Sequence, residues 1–438
     1  MLLNRKTVIL AVSLALFGCG KEKLVIDGQR VPVLGAQEVV AADYMKGDIK
    51  ISLPTPNNTT LWNQSGGNSA HNLEHISSNA ELKELWSADF GKGNSKRDYL
   101  IATPLIAENM VFTIDTNATV SAFNKDTGKK IWKTRLKPKV RKDKSISLKG
   151  IGIAYDNGRI FATTGFGGIF AINAQDGEIL WKHYEKNPIR ISPTVGGGRL
   201  FVQTIENVLI AFNQITGTEI WRYATPNEDT VMVGGASPAY DGNLDILIAG
   251  FSNGEVRALK ASTGSPLWGD YLVGYRNNNL LSDINSIRAN PVIGKGVVFA
   301  AGSNNLLVAI DIISGQRLWE REFGSINQPW LAGKYLFVLT ETSHLLAVDT
   351  ESGKIIWDTK VPAGEDVSDA VGVSYAGPIL VNNRLIVNTS NGYAFYISPY
   401  TGEIMGFLKL DDGSAISPVV ADGLVIITTT DAELLAYK

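Results

Sequence analysis

Short runs of apolar and β-branched residues, separated by Gly, Asn and Asp, recur from residue 81 to residue 438. Residues 192–195 followed by 199–202, and 290–293 followed by 297–300, are typical of paired strands joined by glycine turns. The proline near the start of each pair suits the beginning of a strand, where no ladder hydrogen bond is lost. No segment after Cys19 keeps a helical period. The pattern therefore predicts an all-β protein.

Two sequence patterns repeat along this region. The first is Thr, Ser or Asp, then Gly, two variable residues, an apolar residue and Trp; a seventh copy has Gly406 in place of Trp. The second, apolar-x-Ala-apolar-Asn/Asp, occurs eight times, with a degenerate copy at 394–398. Four short strands in each unit of about 45 residues are typical of a propeller blade. The glycines of the first pattern are Gly128, Gly177, Gly217, Gly264, Gly315, Gly353 and Gly402.

Eight copies predict an eight-bladed β-propeller of four-stranded antiparallel blades. The last copy has no fourth strand of its own, and residues 81–86 provide one, so we expect this N-terminal strand to close the ring and cover its open edges. Trp62 and Trp330 lie outside the pattern and are freer to contact a ligand, although core positions are the simpler interpretation. We expect the remaining tryptophans to pack between blades as structural residues: Trp86, Trp132, Trp181, Trp221, Trp268, Trp319 and Trp357.

The only cysteine, Cys19, follows a short apolar run that has Arg5 and Lys6 before it. The run is too short to span a bilayer and is typical of a secretory signal. Residues 16–19, Leu-Phe-Gly-Cys, resemble the lipobox of bacterial lipoproteins, although Phe17 departs from the usual small residue. The resemblance implies a diacylglycerol and an N-acyl chain on Cys19, and Gly20 implies sorting to the outer membrane. An ordinary signal peptide with a chance cysteine is the alternative.

We therefore predict a lipoprotein signal peptide at 1–18, a lipid-anchored tether at 19–80 and the propeller at 81–438. Composition agrees with a globular chain, with 44% hydrophobic and 19% charged residues. The net charge of −2 gives no basic excess that would favour a nucleic-acid partner. One cysteine excludes an internal disulfide and a cysteine-rich zinc site.

Two weaker features carry open alternatives. His71 and His75 are four residues apart, which could suit a metal, but Asn72 stands where a zincin would have Glu, so loop or capping roles are favoured and no metal site is predicted. Lysines and arginines crowd residues 137–149. Such a run is usually a solvated loop, and contact with anionic lipid or an acidic partner is the alternative.

The repeat resembles the PQQ-type propeller repeat, which is shared by quinoprotein alcohol dehydrogenases and the BamB family of outer-membrane lipoproteins. The dehydrogenases carry a vicinal disulfide, which one cysteine cannot form, and a calcium site of which we find no sign. The lipobox, eight blades and chain length resemble BamB. This resemblance implies a protein that is not an enzyme and holds no cofactor beyond its lipid.

Two segments carry a finer resemblance to BamB. Residues 280–285 followed by 290–292 are similar to its Leu-Ser-Asp-Val-Asp-x-x-Pro-Val stretch, which implies that Asp283 contacts BamA, while Asn285 replaces the second acid. Residues 232–238 are similar to a second contact stretch, where Met232 keeps the apolar anchor and Val233 replaces Arg.

The resemblance implies a periplasm-facing scaffold, anchored in the outer membrane, that docks to BamA and its complex. It would assist the folding of unfolded outer-membrane proteins through loops and strand edges on blades three to five. A PQQ-dependent dehydrogenase-like enzyme, or a propeller that binds a small ligand or glycan in its central funnel, are the alternatives.

Overall fold

The computed structural model describes residues 40–45, 47–79, 81–139, 150–226, 234–272, 286–303, 306–365 and 372–438. These residues form 32 β-strands in eight four-stranded antiparallel sheets. Innermost strands of successive sheets contact one another around a ring, so the predicted eight-bladed β-propeller is confirmed. Among the described residues, no helix is long and apolar enough to cross a membrane.

Each blade runs from an innermost strand at the central axis to an outermost strand at the rim. Blades 1 and 2 contain β2 (Leu105–Ala107), β3 (Met110–Ile114), β4 (Thr119–Asn124), β5 (Lys130–Arg135), β6 (Gly150–Asp156), β7 (Arg159–Thr164), β8 (Gly168–Asn173) and β9 (Ile179–Tyr184). Blades 3 and 4 contain β10 (Thr194–Gly196), β11 (Arg199–Gln203), β12 (Val208–Asn213), β13 (Glu219–Ala224), β14 (Ala239–Asp241), β15 (Ile246–Gly250), β16 (Glu255–Lys260) and β17 (Pro266–Tyr271). Blades 5 and 6 contain β18 (Val292–Gly294), β19 (Val297–Gly302), β20 (Leu306–Asp311), β21 (Arg317–Arg321), β22 (Trp330–Ala332), β23 (Tyr335–Leu339), β24 (His344–Asp349) and β25 (Ile355–Lys360). Blade 7 contains β26 (Tyr375–Val381), β27 (Arg384–Thr389), β28 (Tyr393–Ile397) and β29 (Ile404–Lys409).

Blade 8 is built from both ends of the propeller sequence. It combines β30 (Val419–Ala421), β31 (Leu424–Thr428) and β32 (Glu433–Tyr437) with β1 (Glu84–Asp89), which pairs antiparallel with β32. In this pairing Trp86 lies opposite Ala436. The N-terminal strand therefore closes the ring, as the sequence predicted, and the edge of β32 is covered.

Tryptophan and glycine meet at the boundary between blades. The Trp of an outermost strand packs on the glycine turn between the third and fourth strands of the next blade, and its indole N–H donates to a backbone carbonyl of that turn at 2.8–3.1 Å. A Cβ on the turn glycine would lie 2.5–2.8 Å from the indole, which leaves room for glycine only. The tryptophans in this arrangement are Trp86, Trp132, Trp181, Trp221, Trp268, Trp319 and Trp357.

The alanine of the second pattern lies directly across from the tryptophan. In blade 3, for example, Ala211 pairs with Trp221. In blade 7 the large and the small residue exchange places: Tyr396 on the third strand pairs with Gly406 on the fourth. A Cβ on Gly406 would have no neighbour within 4 Å, since β32 and β1 of blade 8 are far apart in sequence and no glycine turn joins them. The seventh copy lost its Trp at the one boundary where the ring offers no turn to receive it.

Residues 57–78, which we call the plug, cross one end of the central channel. Backbone groups of the innermost strands point at the axis and need partners there. The plug provides one or more to every blade: Ile106 N–H to Trp62 O (2.9 Å), Tyr155 N–H to Asn63 O (2.6 Å), Val195 N–H to Gln64 Oε1 (2.9 Å), Tyr240 N–H to Ser69 O (2.6 Å), Ile293 N–H to Ala70 O (2.9 Å), Gly333 N–H to Glu74 Oε2 (2.7 Å), Asn382 N–H to Ile76 O (2.8 Å) and Asp422 N–H to Thr59 O (2.7 Å).

The plug lies within the segment that the sequence assigned to the tether. The compact unit begins at Val40, not at residue 81, so 40–79 are part of the propeller body. The repeat pattern could not reveal this, because the plug hydrogen-bonds in an irregular path and has no strand period.

The two histidines of the plug make structural hydrogen bonds. His71 is 2% exposed, and its Nδ1–H donates to Pro291 O at 2.7 Å. Burial lowers the pKa of His71 to about 4, which keeps the ring neutral. In His75, Nδ1–H donates to Pro54 O at 2.7 Å and Nε2 accepts from Asn383 N–H at 3.0 Å. Among the described residues no cluster of three potential metal ligands occurs.

The contact between glycine and tryptophan can be separated from the cost of the glycine conformation. Gly264 (φ +73°) lies against Trp221, whereas Gly198 (φ +74°) has open space around it. Alanine at either position should cost about 1 kcal/mol for its positive φ. Gly264→Ala should cost a further 1–3 kcal/mol or so, because the indole must move. Urea unfolding followed by tryptophan fluorescence measures both variants, and equal midpoints for the two would show that the contact contributes nothing.

Buried His71 should make stability depend on pH. Its pKa in the folded protein, about 4, is lower than the ordinary value of 6.5, so the unfolded chain binds a proton first as pH falls. The free energy of unfolding should therefore decrease between pH 6.5 and pH 4, by up to about 3 kcal/mol from this group. His71→Gln should flatten that slope relative to the wild-type protein. Urea titrations at several pH values test this, and an unaltered slope in His71→Gln would contradict it.

Candidate functional site

A central cavity of about 480 Å3 lies between the plug and the connections that enter the innermost strands. The plug residues Trp62, Ser65 and Gly66 form its floor. At the mouth of the cavity, Ser374 and Ala415 are exposed and Tyr99 is 48% exposed, so the cavity meets solvent on this side. The cavity is therefore blind: it is open at its mouth and closed at the plug.

The repeat places two residues of nearly every blade in the wall. The residues one and three positions before the proline of the repeat both line the cavity. The residues at the first position are Thr103, Ser192, Ser237, Asn290, Gln328 and Ser417. The residues at the third are Ile101, Arg190, Gly235, Arg288, Ile326, Tyr375 and Ala415.

The polar residues near the floor are tied into a hydrogen-bond network. Asn290 Nδ2 donates to Ser65 Oγ and to Gln328 Oε1, each at 3.0 Å, and its Oδ1 accepts from Ser237 N–H at 2.8 Å. Beside them Trp62 and Trp330 stack with ring centroids 6.3 Å apart. Both tryptophans are buried, at 2% and 3% exposure, so they are core residues that also form part of the cavity wall.

Arg190 and Arg288 are the only charged residues among the described residues that line the cavity. Burial, together with the positive charge of Arg288, lowers the pKa of Arg190 to about 10. Burial also lowers the pKa of Arg288, partly offset by the carboxylate of Glu341. Both guanidinium groups remain charged at neutral pH. The described wall holds no carboxylate, histidine or cysteine, so its chemistry is that of an anion site with apolar sides.

Sequence reasoning missed both arginines. They occupy the same repeat position, in Arg190-Ile191-Ser192-Pro193 and in 288–291, Arg-Ala-Asn-Pro. A recurring Arg three residues before proline was the available signal. Aligning the blades on their prolines would have placed both side chains at the axis.

The rim of the propeller presents a second kind of surface. The residue just before the repeat Trp is apolar in each outermost strand, and blade 7 has Met405 at the same place. Seven of these side chains are 45–63% exposed, whereas Ile356 of blade 6 is only 6% exposed. The exposed ones are Leu85, Ile131, Leu180, Ile220, Leu267, Leu318 and Met405.

Residues 40–45 lie on the outermost strand of blade 6. Asp43 N–H donates to Ile355 O at 2.8 Å, and Asp43 Oδ2 accepts from Ile355 N–H at 2.6 Å. The Asp43 carboxylate also lies 3.0 Å from Arg321 Nη2, and Lys354 Nζ sits 5.5 Å from the Tyr44 ring centroid. Asp43 therefore binds the free edge of this outermost strand through one backbone and one side-chain hydrogen bond, and on this blade the apolar residue before Trp is buried.

The sequence-predicted partner residues Met232, Val233, Asp283 and Asn285 lie outside the described residues, as does Cys19. Their described neighbours meet at the entry to blades 4 and 5. Ser237 N–H donates to Asn290 Oδ1 at 2.8 Å, and Ser237 Oγ–H donates to Ser192 O at 3.0 Å. Residues 140–149 of the basic run are also outside the described part.

Comparison with known proteins gives one consistent result. The family model described as "Outer membrane protein assembly factor BamB" matches residues 76–142 and 116–359. The protein of that name from Yersinia pestis is 26% identical over 358 residues, covering 81% of this chain and 88% of its own length. The one from Escherichia coli K12 is 27% identical over 351 residues, covering 79% and 86%.

Solved structures show the same fold at low identity. BamB from Moraxella catarrhalis superposes with a TM-score of 0.68 at 15% identity, covering 82% of this chain and all of that one. The quinohemoprotein alcohol dehydrogenase of Comamonas testosteroni superposes with a TM-score of 0.67 at 15% identity, covering 87% and 81%. At this identity both likenesses bear on the fold alone.

The contact of residues 40–45 with blade 6 should depend on Asp43. Asp43→Ala removes the acceptor for Ile355 N–H and the partner of Arg321, at a cost of about 1 kcal/mol for these half-exposed groups. We expect hydrogen exchange at the Ile355 amide to quicken about fivefold or more, while Asp48→Ala, also at an exposed site, leaves it unchanged. Equal exchange in both variants would mean that the segment is held by other contacts.

Proposed function

Because this chain belongs to the family of the outer membrane protein assembly factor BamB, we propose that it is a non-catalytic scaffold that helps outer-membrane proteins fold and insert. The observation that carries this proposal is the family match, which extends over residues 76–359 and therefore over blades 1 to 6. Whole-length relatives carry the same name. The likeness to the dehydrogenase is one of fold, at 15% identity, and gives no reason to assign an enzymatic activity to this chain.

Its docking partner would be BamA, through the connections that lead into blades 4 and 5. Asp283 would supply charge and Met232 an apolar anchor, with Val233 and Asn285 beside them. The hydrogen bond between Ser237 and Asn290 supports this arrangement, because it holds the described ends of the two connections together. Val233 and Asn285 stand where the family pattern has Arg and an acid, so apolar burial and backbone pairing would carry more of the contact.

Anchoring would come from Cys19, with a diacylglycerol and an N-acyl chain holding the protein to the outer membrane on its periplasmic side. Residues 1–18 would be the signal peptide that is removed. Since the compact unit begins at Val40, the span between lipid and propeller would be residues 19–39, shorter than the sequence suggested. No other cofactor is needed for a scaffold.

Unfolded clients would be held at the propeller rim. The contact of residues 40–45 with blade 6 supports this idea, because Asp43 hydrogen-bonds both backbone groups of Ile355 on the free edge of the outermost strand. The same edge, with an exposed apolar residue before Trp or its counterpart Met405, recurs in the other seven blades. Main-chain hydrogen bonds would give binding that tolerates many client sequences.

Asp283→Arg should weaken binding to the periplasmic region of BamA about tenfold or more, because a like charge would replace an attractive one. The matched control is Asp126→Arg, an exposed position on a turn between the third and fourth strands of blade 1. Tagged wild-type and variant chains would be purified from detergent-solubilised envelopes and their partners quantified by mass spectrometry.

We expect BamA at stoichiometric yield with the wild type and with Asp126→Arg, and a reduced yield with Asp283→Arg. If Asp283→Arg retains full yield, this residue is not part of the contact. If correctly lipidated wild-type protein brings down no BamA, the assembly proposal itself fails.

A further inference from the structure

Two arginines stand out in the blind central cavity. Seven blades contribute the residue three positions before the proline of the repeat to its wall, and in five of them this residue is uncharged. Blades 3 and 5 contribute Arg190 and Arg288 instead, with Gly235 of blade 4 between them in sequence order. The positive charge of Arg288 lowers the pKa of Arg190, so the two guanidinium groups are close enough to repel each other.

Neither guanidinium has a hydrogen bond or ion pair with a described residue, although Arg190 is only 9% exposed. Arginines elsewhere in the described chain pair closely with acids, as Arg317 does with Asp270 at 2.6 Å and Arg199 with Asp245 at 2.7 Å. Two like charges in a partly desolvated site repel each other, which is unfavourable for the empty protein. An anion bound between them would turn that repulsion into attraction.

The shape of the cavity limits what the anion can belong to. Its volume of about 480 Å3 is in the range of small-molecule sites, and the plug closes the far end. A folded domain or the middle of a chain cannot enter a blind cavity of this size, but a chain end can. Of the two ends of a polypeptide, only the C-terminus is anionic at neutral pH.

We propose that the central cavity binds the C-terminal end of a client polypeptide, with its carboxylate between Arg190 and Arg288. This inference rests on the proposed function, since unfolded polypeptides are what an assembly factor handles. The wall specifies the terminal side chain as well. Trp330, Ile326 and Ile416 give it apolar sides, so an apolar or aromatic last residue fits best.

The test uses the full-length chain in detergent and a fluorescein-labelled peptide, Gly-Ser-Gly-Ser-Gly-Phe, by fluorescence anisotropy. One arm has the free carboxylate and one the C-terminal amide. We expect the free acid to bind, and the amide to bind about tenfold more weakly or not at all. Arg190→Gln and Arg288→Gln should each weaken the free acid about tenfold, while Arg135→Gln, at an exposed position on β5, should leave it unchanged.

Both glutamine variants should fold because each relieves repulsion, and Arg190→Gln is the cleaner of the two, since Arg288→Gln also takes a favourable positive charge away from the Glu341 carboxylate. Thermal midpoints equal to or above that of the wild type would show this. Equal affinity for acid and amide, or wild-type affinity in both variants, would overturn the proposal. Benzoate serves as a third arm: if it alone binds as tightly as the free-acid peptide, the site takes small anions and the chain-end assignment is wrong.

The outcome is separable from docking to BamA. Arg190→Gln should still bring down BamA from envelopes, because residue 190 lies in the connection into blade 3, outside the proposed docking edge. If the variant loses peptide binding but still recovers BamA, the substitution acts on the cavity and not on docking. Peptide binding that survives in a chain that fails to recover BamA would overturn the docking proposal and leave the cavity assignment standing.

Discussion

The contact between an indole and a glycine turn is what the rest of this structure depends on. It joins blade to blade at seven boundaries, with one hydrogen bond from the indole N–H and no room for a Cβ beneath the ring. The alanine across the strand pair leaves space for the Trp. Because the same three residues recur in each unit, the angle between blades is repeated until the ring meets itself.

Closing the ring and filling its axis require departures from the repeat. Blade 8 takes its outermost strand from the N-terminal side of the propeller, so it has no glycine turn, and the neighbouring Trp position is Gly406. At the axis, short innermost strands leave backbone groups that need partners. The plug provides them to all eight blades and thereby converts a channel into a blind cavity.

Positions that the scaffold does not need are where function can reside. The residue three positions before the proline of the repeat differs from blade to blade, and in two blades it is Arg190 or Arg288. Seven outermost strands keep an apolar residue in solvent, and on blade 6 the equivalent Ile356 is buried next to Ile355, which hydrogen-bonds Asp43. The connections into blades 4 and 5 converge through Ser237 and Asn290. The ring thus holds the cavity, the outermost strands and the entry to blades 4 and 5 on one scaffold.

The sequence by itself determined the blade count, the closing strand and the inter-blade role expected of Trp86 and its counterparts, because these depend on local patterns that repeat. The sequence also contains the motif Arg-x-polar-Pro twice, but only the ring brings residues 190 and 288 to one axis. Tertiary structure alone decided that residues 57–78 belong to the propeller, that His71 is buried and neutral, and that Ile356 is covered while its equivalents are exposed. Those outcomes arise because non-repeating segments pack onto the ring. Their contacts join residues far apart in sequence, and no repeating sequence pattern predicts them.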